Sequence, residues 1–454
     1  MDNERLPSSG GEGSFKKVLG FWPLVFFGFI AMSPTAGATY YPDTQGTSNG
    51  YTWIGYVIAS VLVVLTVLSY QIMVSKKPSA GSAYAYSTIG LGAKPGFIVG
   101  WTLLIDYALT PMFVLAIAGM YLNAIFPAIS IKLWVIIIGI MVLILSLVGV
   151  KIGVLVENAL GIFLIVFMII FMGAGLFAIV HHADASGCRP ELIYDSSQIS
   201  WNGTLQAASL GILSFVGFDA ISTLAEETKL SVKKFTHTMM VAALLQAFCL
   251  IVSVIIMALA KDWKTIPADN FDTSYLYLLR EWTSPAVADV LVVIKELGIV
   301  ALIVAFVTAS SRVLYAMGRS EALPKKVFGH LSVKFGTPTW GSLIVCLISI
   351  FGALFLDWGF IASIVSFGAC IGFIGVNLSV FVQCWVREKD HKVFRHLIAP
   401  LFAAVAIFYV LIHQSTACLI VGVIWMIIGV IVLIVRYKTH PVFREALDNG
   451  TLEM

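Results

Sequence analysis

Charge is what this sequence lacks most. Only 12% of its 454 residues are charged, against 59% hydrophobic, and the mean hydropathy is +0.94. A soluble domain carries about 25% charged residues. With 28 basic and 25 acidic side chains, a chain of this length cannot clothe a surface in water, which excludes a soluble enzyme and a disordered chain. The net charge of +3 is too small to argue for a nucleic-acid partner. Cysteine is scarce as well. Cys249, Cys346, Cys370, Cys384 and Cys418 lie in apolar stretches and Cys188 stands alone in a polar loop, which excludes a disulfide scaffold and predicts no bridge. A Gly-rich phosphate loop is missing, so the chain is not itself a nucleotide-driven pump. The eight histidines fall in loops or at the ends of apolar runs. His181, His182 and Asp184 have no further ligands at metal spacing, so no metal, cofactor or hydrolytic centre is expected.

What the sequence has is apolar runs. About 20 apolar residues are needed to cross the hydrocarbon core as a helix. Twelve runs answer to that, at 21–41, 51–73, 96–126, 132–149, 152–180, 204–224, 238–260, 286–317, 341–356, 359–385, 397–413 and 416–436. The first twenty residues are polar and the run after them continues as a full span, so no cleavable leader is expected. With the N-terminus inside, Lys and Arg number twenty-two in the inner segments and five in the outer ones. Basic residues favour the cytoplasmic side, so both termini are predicted there, in agreement with an even number of crossings. The expectation is an all-α polytopic protein of the cell membrane in contact with lipid. It has a cytoplasmic segment at 1–20, one transmembrane domain at 21–436 and a cytoplasmic tail at 437–454.

Two runs look interrupted. The first carries Ser33, Pro34, Thr35, Ala36 and Gly37 in mid-span; the sixth carries Phe215, Val216, Gly217, Phe218 and Asp219. Proline removes a backbone donor and clashes with the preceding turn. Irregular backbone at membrane depth is tolerated only where it is buried in protein or lines a cavity. Interrupted helices at matching places in two halves point to a transporter's binding site; spans one and six are five apart, as two inverted five-helix repeats require. A simple kink is the alternative for either span alone. The two segments are expected to face each other across a midplane cavity.

Three stretches resemble a known family. Residues 78–86 (PSAGSAYAY), 215–228 (FVGFDAISTLAEET) and 311–319 (SRVLYAMGR, followed by Leu323 and Pro324) look like the first inner loop, sixth helix and eighth helix of the amino acid–polyamine–organocation transporters. Gly100, Trp101, the 104–107 stretch LIDY, Pro111 and Met112 look most like the bacterial putrescine importers within it. The resemblance implies a LeuT-like five-plus-five inverted repeat, one repeat at about 21–180 and the other at about 204–385, with helices 11 and 12 at about 397–436 outside it. It also implies a permease for a small amine-bearing solute, an amino acid or a polyamine. The chain departs from the family in three places. The bare-amide Gly-Ser-Gly-Ile-Phe type segment of helix 1 is replaced by 33–37 SPTAG. Ala38 and Thr39 stand where importer-like members tend to place a phenylalanine and an aspartate. The helix-5 lysine of some proton-coupled relatives has no counterpart in 158–171.

Charges inside a span mark functional sites by default. They are Asp106, Glu157, Asp219, Lys295 and Glu296. At 1.5 Å per residue, Asp106 lies roughly 16 Å from one face and Lys295 roughly 15 Å from the other, so an Asp106–Lys295 pair is expected near the midplane. It is read either as a scaffold salt bridge or as a coupling pair. Glu296 is expected not to pair with Lys295, because neighbours on a helix diverge by about 100°. Glu157 is expected to be structural. Asp219 is read as break-stabilising or gating as much as substrate-binding. Acids outnumber the lysine, which favours a cationic solute group or a proton as co-substrate. The aromatics Trp101, Tyr107, Phe215, Phe218 and Phe367 are candidates to box an ammonium, though packing is the commoner role for each. Thr308 and Ser311 are candidates for a sodium site, with backbone hydrogen bonding the commoner alternative.

The substrate site is therefore read as the two interrupted segments together with Asp106 and Tyr107, with Asp106, Lys295, Glu296 and Asp219 in coupling or gating. A secondary-active permease is the leading reading, with proton coupling ahead of sodium. The alternative is a facilitator or solute sensor on the same scaffold. An enzyme is not expected. Which solute is moved, the direction in the cell and the oligomeric state are left open.

Overall fold

The computed structural model describes residues 19–79, 81–147, 150–181, 199–319, 323–332, 337–356 and 358–448. The chain forms α1 (Phe21–Ala31), α2 (Ala36–Thr39), α3 (Tyr41–Thr47), α4 (Thr52–Lys76), α5 (Ser82–Leu91), α6 (Ala93–Ile125), α7 (Ile131–Leu147) and α8 (Val150–His181). Then come α9 (Trp201–Leu213), α10 (Ala220–Thr223), α11 (Val232–Ala260), α12 (Ser274–Trp282), α13 (Pro285–Arg319), α14 (Lys325–Phe328) and α15 (Thr339–Phe355). The last are α16 (Trp358–Val380, continued by wide turns to Arg387), α17 (Ala399–Ile412), α18 (Thr416–Thr439) and α19 (Pro441–Asp448). Among the described residues, nine helical stretches are long and apolar enough to cross a membrane, and α7 and α15 are shorter apolar helices. The protein is a multi-pass membrane protein.

Burial separates core from rim. The most apolar part of α13 is 78% buried and that of α18 only 17%. Around α13 pack α1, α6, α7, α8 and α15, while α16 packs against α4, α5, α6, α17 and α18. Outward faces carry Ile, Phe, Val and Leu, among them Ile137, Ile140 and Ile144 on α7 and Phe351 and Phe355 on α15. In water such faces would be untenable; against lipid they are satisfied.

Both interrupted spans are broken. The chain leaves α1 at Met32, and Ser33 takes a left-handed conformation (φ 55°) before Pro34. The helix resumes at α2, where Ala36 N–H donates to Ser33 O at 2.9 Å. The sixth span unwinds between Ser214 and Asp219, with Gly217 at φ 123°. Five short helices escaped the hydropathy reading: α3, α5, α12, α14 and α19. Buried α5 is built from Ser, Ala and Tyr, too polar and too short to register as a span. In α19, Phe443 meets the ring of Phe97 at 6.0 Å, which anchors part of the expected tail to the bundle.

At one end the chain is pinned by backbone. Leu19 and Thr228 form a parallel bridge, with Leu19 N–H donating to Glu227 O at 3.2 Å and Lys229 N–H donating to Leu19 O at 3.0 Å. Directly beside it, Arg312 Nε donates to Glu227 Oε1 at 2.7 Å, both side chains fully buried.

Candidate functional site

The two breaks touch. A Cβ on Gly217 would stand 2.6 Å from Ala31 C and 2.8 Å from Met32 N, so the second break lies directly against the end of α1. A helix end leaves its last carbonyls without partners, and here both ends are served by one side chain. Gln246 of α11, fully buried, donates from Nε2 to Met32 O, Ser33 O and Ser214 O, each at 3.0 Å. Nothing in the sequence reading singled it out. The signal was there: a lone amide in the apolar stretch 238–260 must find partners in the protein.

A small cavity of about 30 Å³ adjoins the breaks, room for about two water molecules. Its wall includes Met32 and Ser33 from the first break, Ser214 and Val216 from the second, Thr110 from α6, and Lys295, Glu296 and Phe306 from α13. Of the twelve residues expected to bind substrate, Ser33 and Val216 line it. Pro34, Thr35, Ala36 and Gly37 continue the first break away from this wall, and Ser33 and Thr35 share a hydroxyl contact of 3.2 Å.

Asp106, Tyr107, Phe215, Gly217, Phe218 and Asp219 gather instead in a second, solid cluster. Asp219 Oδ1 accepts from Gly217 N–H at 3.1 Å and Oδ2 accepts a short bond from the Tyr107 hydroxyl. Ser310 Oγ donates to Tyr107 O at 2.6 Å, which ties the cluster to α13. Phe218 packs between Tyr70 and Phe373, with ring centroids 5.0 and 5.3 Å away. Asp106 is fully buried. Its Oδ1 accepts from Thr110 Oγ1 at 3.2 Å, and its Oδ2 has no hydrogen-bond partner among the described residues. Thr110 thus stands between Asp106 and the cavity wall.

The expected Asp106–Lys295 pair does not form: among the described residues no ion pair joins them, and Lys295 is engaged elsewhere. Its Nζ lies 2.9 Å from Glu296 Oε1 and donates to Tyr275 OH at 2.9 Å. The expectation that Glu296 would not pair with Lys295 is also overturned. Neighbouring Cβ atoms diverge, yet a four-carbon lysine stem is long enough to fold back, and in a dry interior an unpaired charge is too costly to leave. Tyr275 belongs to α12 in the connection before α13, a contact that no depth count along spans could supply.

The weaker candidates resolve into packing. Trp101 stacks on Trp425 at 4.8 Å and the two indoles exchange N–H to carbonyl bonds at 3.0 and 2.9 Å. The Phe367 ring lies against Gly422 of α18. Ser311 Oγ donates to Thr308 O at 2.8 Å, a bond within its own helix. The side chain of Glu157, along with His182, Asp184 and Cys188, lies outside the described residues.

Comparison with known proteins agrees with this architecture. The family model described as amino acid permease matches residues 19–442. A low-affinity putrescine importer of Escherichia coli is 26% identical over 422 residues, covering 92% of this chain and 93% of that protein. A branched-chain amino acid permease of Bacillus subtilis is 23% identical over 466 residues, 96% of each, and a methylthioribose transporter of the same organism is 21% identical over 416 residues, 86% of this chain and 87% of that protein. These relatives are transporters, not enzymes. With two broken helices meeting beside a buried cavity and a family match over almost its whole length, the chain belongs to the amino acid permease family of the amino acid–polyamine–organocation superfamily.

Proposed function

We propose that this protein is a secondary-active transporter of a small amine-bearing solute, an amino acid or a polyamine, working by alternating access and driven by protons. The observation that carries the reading is the meeting of two discontinuous helices beside a small cavity. The C-terminal ends of α1 and α9 bring carbonyl dipoles to that junction, which favour an ammonium group. Buried Glu296 in the wall, paired with Lys295, is the carboxylate there that a competing ammonium could reach. The putrescine importer and the branched-chain permease among the relatives support an amino acid or polyamine as solute. The cavity is too small for either as it stands, so transport requires the breaks to move apart.

The arrangement is read as twelve spans in a LeuT-like five-plus-five repeat, one domain over 21–436, in the cell membrane with both termini cytoplasmic. On that orientation the Leu19–Thr228 bridge and the Arg312–Glu227 pair close the inner end. Asp106 is the proposed proton carrier. Its Oδ2 has no hydrogen-bond partner among the described residues, and Thr110 connects its carboxyl to the cavity. No cofactor is proposed, and sodium is the lesser alternative as coupling ion.

The test is counterflow in proteoliposomes loaded with unlabelled putrescine or leucine. Transient accumulation of external label identifies a carrier, and uptake that follows an imposed pH gradient without sodium identifies the proton. Passive equilibration without counterflow would mean a facilitator. Uptake that needs sodium and ignores collapse of the pH gradient would overturn the proton reading.

A further inference from the structure

We propose that Tyr121, Tyr275 and Glu296 form a binding site for a primary ammonium group, and that Lys295 occupies it as a tethered competitor of the solute's ammonium. The three hydrogens of Lys295 Nζ meet a complete receptor. Glu296 Oε1 and Tyr275 OH accept at 2.9 Å each, and the faces of Tyr121 and Tyr275 lie 4.8 and 4.9 Å from Nζ. The two rings stack on each other with centroids 4.3 Å apart and 27° between planes, so the cage is held together by its own contacts. A carboxylate, a phenol oxygen and two aromatic faces are the chemistry that recognises a desolvated ammonium.

Two features make this more than an internal salt bridge. Lys295 and Glu296 both belong to the cavity wall beside the breaks, so the cage opens onto the proposed path of the solute. Glu296 Oε2 is buried with no hydrogen-bond partner among the described residues, which leaves room at the carboxylate for a second cationic donor. The cage also includes an element outside the long helices. Tyr275 rides on the nine-residue α12, and Tyr121 OH donates to Asp272 O, just before that helix, at 3.2 Å. A shift of α12, which packs against α8 and α13, would open the cage. Lys295 can then withdraw along its flexible stem while another ammonium takes its place.

That the competing ammonium belongs to a transported solute rests on the proposed function; the cage does not. The test uses the full chain purified in detergent, where no transport occurs. Lys295→Ala removes the atoms from Cγ to Nζ, which n-propylammonium replaces one for one. Lys295→Met keeps most of the stem and removes the nitrogen, which ammonium itself replaces. Thermal unfolding is measured with each salt against equal sodium chloride. Propylammonium should give a saturable rise in the melting temperature of Lys295→Ala, and ammonium one for Lys295→Met. The wild type, whose cage is filled, should show none, and Glu296→Gln added to either variant should abolish the rise. If Lys295→Ala does not fold, Lys295→Met decides alone. Absence of any ammonium-specific rise overturns the cage. Labelled putrescine, as probe, should bind Lys295→Met several-fold more tightly than wild type; unchanged or weaker binding overturns the competition. Should proteoliposomes carry no solute while propylammonium still stabilises the variant, the transport reading fails and the cage stands.

Discussion

The contact between the two breaks makes Gly217→Ala the most demanding test of the architecture. Gly217 sits at φ 123°, a conformation whose cost for a residue with a side chain is about 1–3 kcal/mol. The added Cβ would lie 2.6 Å from Ala31 C, 2.8 Å from Ala31 O and 2.8 Å from Met32 N. All three are main-chain atoms that cannot rotate away. Restoring ordinary contact requires the breaks to part by about 0.8 Å, an overpacking cost of about 1–3 kcal/mol. Together the two effects come to about 2–6 kcal/mol. The comparison variant is Gly173→Ala on α8, where an added Cβ meets nothing within 4 Å and alanine is favoured over glycine by about 0.5–1 kcal/mol. Melting curves of the two purified variants should therefore diverge in opposite directions from wild type, and solute counterflow should fall in Gly217→Ala alone. Equal melting temperatures would show that the breaks do not meet as described.

Other perturbations separate the roles of neighbouring groups. Gln246→Leu takes the side-chain donor from the buried Met32 and Ser214 carbonyls, while Ser33 O keeps the Ala36 N–H, and should lower stability by about 1–3 kcal/mol in thermal unfolding; a neutral result would remove Gln246 from the site. Glu227→Ala removes the carboxylate that accepts from Arg312 Nε and should lower the melting temperature, and the Glu227→Ala/Arg312→Leu double variant should recover part of that loss; additive effects would mean that the pair contributes no coupling. Asp106→Asn is nearly isosteric and should change the melting temperature little while abolishing pH-driven accumulation and preserving counterflow. Retained accumulation would assign the proton elsewhere.

How much of this was legible in the sequence depended on the range of the interaction. The breaks were legible because their causes are local: Pro34 lacks a donor, and Gly217 supplies a conformation that few residues adopt. That the two breaks would lie near each other was expected from their five-span spacing, but across a cavity rather than in the direct contact seen between Gly217 and the end of α1. The partner of Lys295 was not legible. Depth along a straight span puts it level with Asp106, but the choice was decided by Tyr275 on α12, a short helix whose docking depends on the tertiary packing of Tyr121, Phe167 and Phe171 around it. The proposed clustering of Asp106 with the breaks was half right in geometry. Asp106 shares the region of Asp219 and Tyr107 but reaches the cavity only through Thr110, which stands four residues and about 6 Å further along α6. Gln246 was visible as a polar residue in an apolar run, and only its partners were hidden.

The Leu19–Thr228 bridge has a consequence for how the molecule is made. Its two strands lie 209 residues apart, so the segment leading into the first helix has no partner until the ribosome has passed residue 229. At 5–20 residues per second, that is a wait of about 10–40 s. Through that interval the helices from α1 to α8 are already synthesised while the start of α1 is without this bridge, which, with the Glu227 carboxylate beside it, then joins the segment before α1 to the chain just after α10. Ribosome-bound chains stalled before and after residue 229 should differ in protease access at Leu19, which makes the closing of that end a timed event in membrane insertion.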